Sequence, residues 1–152
     1  MKVRLSMIAL FVAISFAATA QSPYRTAGGL FIDVGDGSTL VGPTIKHFFT
    51  GENAIAGSVL FGNNSTYLGA EYSYNKPIAG AEGLYWNVGV GPQLGFWSGE
   101  TFLYVRPAAG LEFKIPSAPL ALSFDWRPMW YLGSGSHFTA GRFGLSFKYA
   151  FN

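Results

Sequence analysis

The chain ends FGLSFKYAFN, residues 143–152. Phe143, Leu145, Phe147, Tyr149 and Phe151 share one parity, and Gly144, Ser146, Lys148 and Ala150 share the other. A period of two sends successive side chains to opposite faces of a strand. The stretch therefore reads as a β-strand with one bulky apolar face and one face of small and charged groups. What each face meets decides the fold: a soluble barrel would turn the rings inward, a membrane barrel outward to lipid.

The alternation recurs upstream. Turn residues cluster at Gly35-Asp36-Gly37-Ser38, Thr50-Gly51-Glu52-Asn53, Gly62-Asn63-Asn64-Ser65, Asn75 to Gly83, Ser98-Gly99-Glu100, Pro116-Ser117-Ala118-Pro119 and Gly133-Ser134-Gly135-Ser136. They delimit eight strands near 26–34, 39–49, 54–61, 66–74, 84–97, 101–115, 120–132 and 138–151. Most match the ~9–11 residues that a tilted strand needs to cross a bilayer. Eight is also the smallest strand number usual for a bacterial outer-membrane barrel. No stretch reads as a long helix.

Charge follows parity within these strands. Asp33, Lys46, Glu71, Arg106, Glu112, Lys114, Asp125, Arg127, Arg142 and Lys148 all fall on the face opposite the bulky apolar residues. Arg25, Asp36, Glu52, Lys76, Glu82 and Glu100 fall in turns or the N-terminal tail. Volume then says which face is inside. The apolar face carries roughly thirty large side chains, whereas an eight-stranded barrel has an interior just wide enough to be filled by its own residues. The charged face is rich in Gly89, Gly91, Gly95, Ala108, Gly110, Gly144 and Ser146, which leave room for Arg and Lys in a narrow lumen. The aromatics are thus expected to face lipid. Buried charge is tolerable only when paired, so the four acids and six bases are expected to form a cross-strand network that plugs the lumen. A conducting pore would need ~16–18 strands.

The front of the chain has a different pattern. Lys2 and Arg4 precede a nearly unbroken apolar run, Leu5 to Ala17, followed by Ala18-Thr19-Ala20. This is the layout of a secretory signal peptide cleaved before Gln21, and the run is shorter than the ~20 residues of a membrane-spanning helix. The expected organisation is a signal peptide over 1–20 and one barrel domain over 21–152. Composition agrees: only 12% of residues are charged and 17% are aromatic, against ~25% charged in ordinary soluble domains. Cysteine is absent, which excludes disulfides and thiolate metal sites. A formal charge of +2 without a basic run does not suggest a nucleic-acid partner.

Taken together, the signal peptide, the eight alternating strands and the terminal FGLSFKYAFN resemble small, porin-like outer-membrane β-barrel proteins of Gram-negative bacteria. The stretch LEFKIPSAPLALSFDWRPMWYL, residues 111–132, is most similar to members from the Bacteroidetes. The resemblance implies an all-β, antiparallel up-and-down transmembrane barrel in the outer membrane, in contact with lipid and lipopolysaccharide. It also implies that Phe147, Tyr149 and Phe151 are read by the barrel assembly machinery, although Asn152 follows the last ring. The connections that would face the cell exterior are short, which argues against an adhesin or receptor.

Chemistry is sparse. His137-Phe138-Thr139 faintly resembles the His-x-Ser element of lipid A deacylases, with Thr139 as nucleophile and His137 as base, but no acid follows His137 to orient it. His47 reads as an interface residue, and two distant histidines do not make a metal site. Pro43, Pro92, Pro107 and Pro128 fall within strands, where bulges or bends are expected. Trp86, Trp97, Trp126, Trp130, Tyr72 and Tyr74 are candidates for interfacial girdles. No cofactor is implied. The functional expectation is an integral barrel with a plugged lumen, structural or accessory to an envelope complex and not catalytic. The alternatives are a lipid A-modifying enzyme, a narrow channel or small-ligand binder, and a soluble lipocalin-like fold.

Overall fold

The computed structural model describes residues 22–151. The signal peptide expected over residues 1–20 lies outside them. Ten strands are present: β1 (Thr26–Gly35), β2 (Ser38–Phe48), β3 (Asn53–Gly62), β4 (Ser65–Pro77), β5 (Leu84–Trp97), β6 (Glu100–Lys114), β7 (Leu120–Trp126), β8 (Met129–Tyr131), β9 (His137–Thr139) and β10 (Arg142–Ala150). β8 continues the line of β7, and β9 leads into β10, so the wall has eight staves. Every neighbouring pair is antiparallel. β1 pairs with both β2 and β10, from Ala27 opposite Ala150 to Gly35 opposite Arg142, which closes the sheet into a barrel. Closure leaves only the short β9 paired on a single side among the described residues. Among the described residues there is no helix.

Tight turns hold the end away from the chain termini. Asp36-Gly37 and Ser98-Gly99 each place two successive residues at positive φ, the backbone that matches the twist of a two-residue hairpin. Asn63-Asn64 makes a third two-residue connection there. β4 runs to Pro77, three residues past the expected end, so Asn75 and Lys76 belong to the wall and not to a turn.

Of the four prolines, one accompanies a bulge. Trp126 faces Phe143, and past the interruption Met129 faces Thr139. Arg127 and Pro128 therefore oppose Ala140, Gly141 and Arg142, two residues against three. The other three prolines leave the register unchanged. Near each of them pairing lapses with one neighbouring strand only: Pro43 toward β3, Pro92 toward β4 and Pro107 toward β7. The opposite ladder continues past each one. A missing donor costs little where the facing pairs are already open.

Burial is inverted relative to a water-soluble fold. Among the described residues twenty-six large apolar side chains are exposed, including Ile45, Phe124, Trp130 and Phe147. The buried set includes Asp33, Lys46, Arg106, Glu112, Asp125, Arg142 and Lys148, while five of its eleven apolar members are alanines. Phe31, Leu40 and Leu60, packed with Tyr67, form one small apolar cluster inside the barrel. Tyr24, Phe48 and the alanines 27, 54, 121 and 150 form another at the termini end.

Candidate functional site: the charged lumen

Nine of the ten charged residues assigned to the inner face by parity meet in three triads. Asp33, fully buried, receives Arg106 Nη1 at 2.7 Å and Arg142 Nε at 3.0 Å. Arg127 bridges two acids, with Nε 2.9 Å from Asp125 and its Nη1 on Glu71. Glu112 lies between two lysines, with Lys46 Nζ at 3.3 Å and Lys148 Nζ at 2.8 Å. Each acid therefore has a base drawn from another strand, except that Arg127 and Asp125 are sequence neighbours two apart. No buried side-chain nitrogen or oxygen is left without a hydrogen-bond partner among the described residues. That is the condition under which buried charge is tolerable.

Arg106 does more than neutralise Asp33. Its Nη1 also donates to Gln93 Oε1 at 2.8 Å, its Nη2 to the Arg127 carbonyl at 2.7 Å and its Nε to the Pro128 carbonyl at 3.1 Å. Those two carbonyls lie where pairing between β6 and the β7–β8 stave lapses. The planar five-donor fork of arginine suits this task, which a lysine could not perform. Trp126 Nε1 serves the Ala140 carbonyl at the bulge at 2.7 Å.

Lys114 behaves differently from its nine companions. Placed at the last residue of β6, it reaches two carbonyls of the following turn, Ile115 at 2.8 Å and Ala118 at 2.7 Å, and it caps the rim without pairing with an acid. At the same end of the barrel, Lys76 lies 3.9 Å from Glu52.

Both ends of the lumen carry apolar covers, and alternation along the strands fails to advertise the one at the termini end. At the termini end Tyr24 folds under the barrel. Its ring packs edge-on against Phe48 at 5.2 Å, and its hydroxyl donates to both Glu112 oxygens at 2.9 and 3.1 Å. Burial, then the neighbouring Glu112 carboxylate, pushes the Tyr24 hydroxyl well above its ordinary range, so it stays neutral. At the opposite end Tyr67, Trp97, Phe102, Tyr104 and Tyr131 form a ring cluster, with Trp97 stacked on Phe102 at 3.8 Å and Tyr104 5.5 Å from Tyr131. Trp97 thus belongs to the inner face and not to an outer girdle. It shares the parity of Asn87, Gly89 and Gln93. Gly95 makes room for the cluster, since a Cβ there would come within 2.8 Å of both Trp97 and Tyr67.

Between the covers remains a cavity of about 60 Å³ lined by members of all three triads and by Thr44, Ser58, Ser123 and Ser146. Asn75 and Gln93 join the network as neutral partners, Asn75 accepting from Lys46 Nζ at 2.8 Å. Both carry inner-face parity, which is the signal that would have identified them. Tyr24 has no such signal, because it precedes the first strand.

The histidines lie elsewhere. Nδ1 of His47 is 2.8 Å from Thr26 Oγ1. His137 is exposed, Thr139 is half-buried, and no carboxylate forms an ion pair with His137 among the described residues. No group of three or more metal-ligating side chains occurs among the described residues. Phe147, Tyr149 and Phe151 lie on the outer face, each about half exposed or more.

The architecture has a counterpart among solved structures. The crystal structure of the N-terminal β-barrel domain of Pseudomonas aeruginosa OprF superposes with a TM-score of 0.63, over 82% of this chain and 96% of that one, at 16% sequence identity. The two share a fold. No family model matches the chain, and no curated protein sequence matches it significantly.

Proposed function

We propose that the protein is an integral outer-membrane barrel with a lumen filled by its own side chains, structural or accessory to an envelope complex, and neither an enzyme nor an open pore. The observation that carries this reading is the inverted burial: an unbroken apolar exterior around a paired ionic interior. In water an apolar band of that extent is an aggregation liability. In hydrocarbon it is the matching surface, and a closed barrel is one of only two ways to span it with every backbone group satisfied. Trp86, Tyr74, Tyr149 and Phe151 toward the termini end, and Trp130, Phe138 and Phe61 toward the other, suit aromatic girdles at two interfaces.

The OprF-like fold supports the assignment to a bacterial outer membrane. In this reading residues 1–20 direct export, lipid and lipopolysaccharide surround the barrel in a Gram-negative envelope such as that of Bacteroidetes, and Phe147, Tyr149 and Phe151 present the assembly machinery with its insertion signal. The triads, the Tyr24 floor and the aromatic cover leave space for only a few water molecules, which favours a plug over a solute pathway. The exposed His137, without an orienting acid, gives the deacylase alternative no support.

Extraction tests the proposal. The protein is expected to stay with membranes through an alkaline carbonate wash and to be released by detergent. Release by carbonate alone would refute membrane integration. Discrete conductance steps in planar bilayers would replace the plug with a pore.

A further inference from the structure

The three triads do not balance. Arg106, Asp33 and Arg142 sum to one positive charge, Glu71, Arg127 and Asp125 to one negative, and Lys46, Glu112 and Lys148 to one positive. The interior therefore carries five cations against four anions. The residues lining the cavity have the same excess: Lys46, Arg106, Arg127 and Lys148 against Glu71, Glu112 and Asp125. An uncompensated charge in a low-dielectric interior costs several kcal/mol.

Arg106 bonds the Arg127 carbonyl, so the negative acid triad adjoins and offsets the positive arginine triad, which leaves the excess at the lysine triad. Glu112 already accepts from both ammonium groups and from Tyr24, so it can take up no further charge. Tyr24 is held neutral and cannot supply a negative one. Each ammonium has three donors. Lys46 directs two of them to Asn75 and Glu112, and Lys148 directs two to Ser146 and Glu112. The remaining donors belong to groups that line the same cavity.

We propose that the lumen cavity is a binding site for one small monovalent anion of the halide class, held by the ammonium groups of Lys46 and Lys148 together with whichever hydroxyl of the hydrogen-bonded Ser123–Ser146 pair does not donate to the other. A cavity of about 60 Å³ admits a monatomic anion with a water or two and is too small for a phosphorylated metabolite. The inference depends on the closed lumen and not on where the barrel resides. The anion completes the plug by neutralising the one positive charge that the side chains leave.

The test uses the folded mature chain in detergent micelles. Thermal unfolding midpoints in sodium bromide and in sodium gluconate at equal ionic strength are expected to differ by several degrees, with bromide stabilising in a saturable manner. Lys148→Met is expected to abolish the difference. Crystals grown in bromide decide the matter independently of whether that variant folds: the anomalous peak is expected within hydrogen-bonding distance of Lys46 Nζ or Lys148 Nζ. Equal midpoints for the unaltered protein would overturn the proposal. So would bromide density confined to the protein surface, an adventitious ion only.

Discussion

Replacing Arg106 by methionine removes the most connected side chain of the lumen while keeping an unbranched apolar stem. Four hydrogen bonds go at once, to Asp33, Gln93 and the carbonyls of Arg127 and Pro128. Breaking a buried ion pair by deleting one partner costs about 3–5 kcal/mol. The lower end applies here because Asp33 keeps Arg142 at 3.0 Å. Each of the two carbonyls left without its donor adds about 1 kcal/mol, the lower end of the range, since water in the adjoining cavity can reach them. The expected loss is therefore about 5 kcal/mol, a large share of the stability of a domain this size. Arg106→Lys keeps a cation for Asp33 but cannot serve four acceptors from one ammonium, so about half that loss is expected. The measurement is equilibrium unfolding in urea with the barrel in micelles. A loss under about 1 kcal/mol for Arg106→Met would show that the network is ornamental to the fold and refute the reasoning, since single surface substitutions already fall within that range.

Three further outcomes follow from the same geometry. Gly95→Val pushes a side chain against Trp97 and Tyr67, and overpacking of this kind costs about 1–3 kcal/mol; a lower unfolding midpoint and altered near-UV circular dichroism are expected. Tyr24→Phe keeps the ring on Phe48 but deletes the hydroxyl donated to Glu112, at a cost of about 1.5–3 kcal/mol for a bond to a charged acceptor, measured by the same urea titration. That variant also isolates a pH effect. The hydroxyl titrates higher in the folded barrel than in the unfolded chain, so its contribution is fully present below pH ~10 and declines as pH rises from there toward the folded value. The stability gap between wild type and Tyr24→Phe is expected to narrow above that pH, and a gap that widens would contradict the assignment.

Much of this architecture is legible in the sequence because a period of two is a strong signal wherever the two faces differ chemically. Arg106, Glu112 and Asp125 separate cleanly from Leu103, Phe113 and Trp126, and the volume of those outer residues forbids their enclosure. The signal weakens where a strand ends. Lys114 keeps inner-face parity yet reaches the turn carbonyls, because at the last residue of β6 those lie closer than any acid. Trp97 carries inner-face parity too, but its size and its place near the rim match a girdle residue, and residue type misled where position did not. The bulge beside Pro128 depends on the count of residues in two strands, two against three, which no single strand records. Tyr24 precedes the barrel altogether. Its role arises from where closure of β1 against β10 delivers the tail, a consequence of tertiary topology and not of local pattern.

The central claim is that bulky rings point outward into hydrocarbon while the inner face is sealed from it. Two single-tryptophan variants, one retaining only Trp126 and the other only Trp97, reconstituted in vesicles of lipids brominated along their acyl chains, measure this directly. Trp126 is 44% exposed on the outer face, and Trp97 is stacked within the barrel. Bromine is expected to quench Trp126 strongly and to leave Trp97 nearly unaffected. Equal quenching of the two, or quenching of Trp97 alone, would contradict the account.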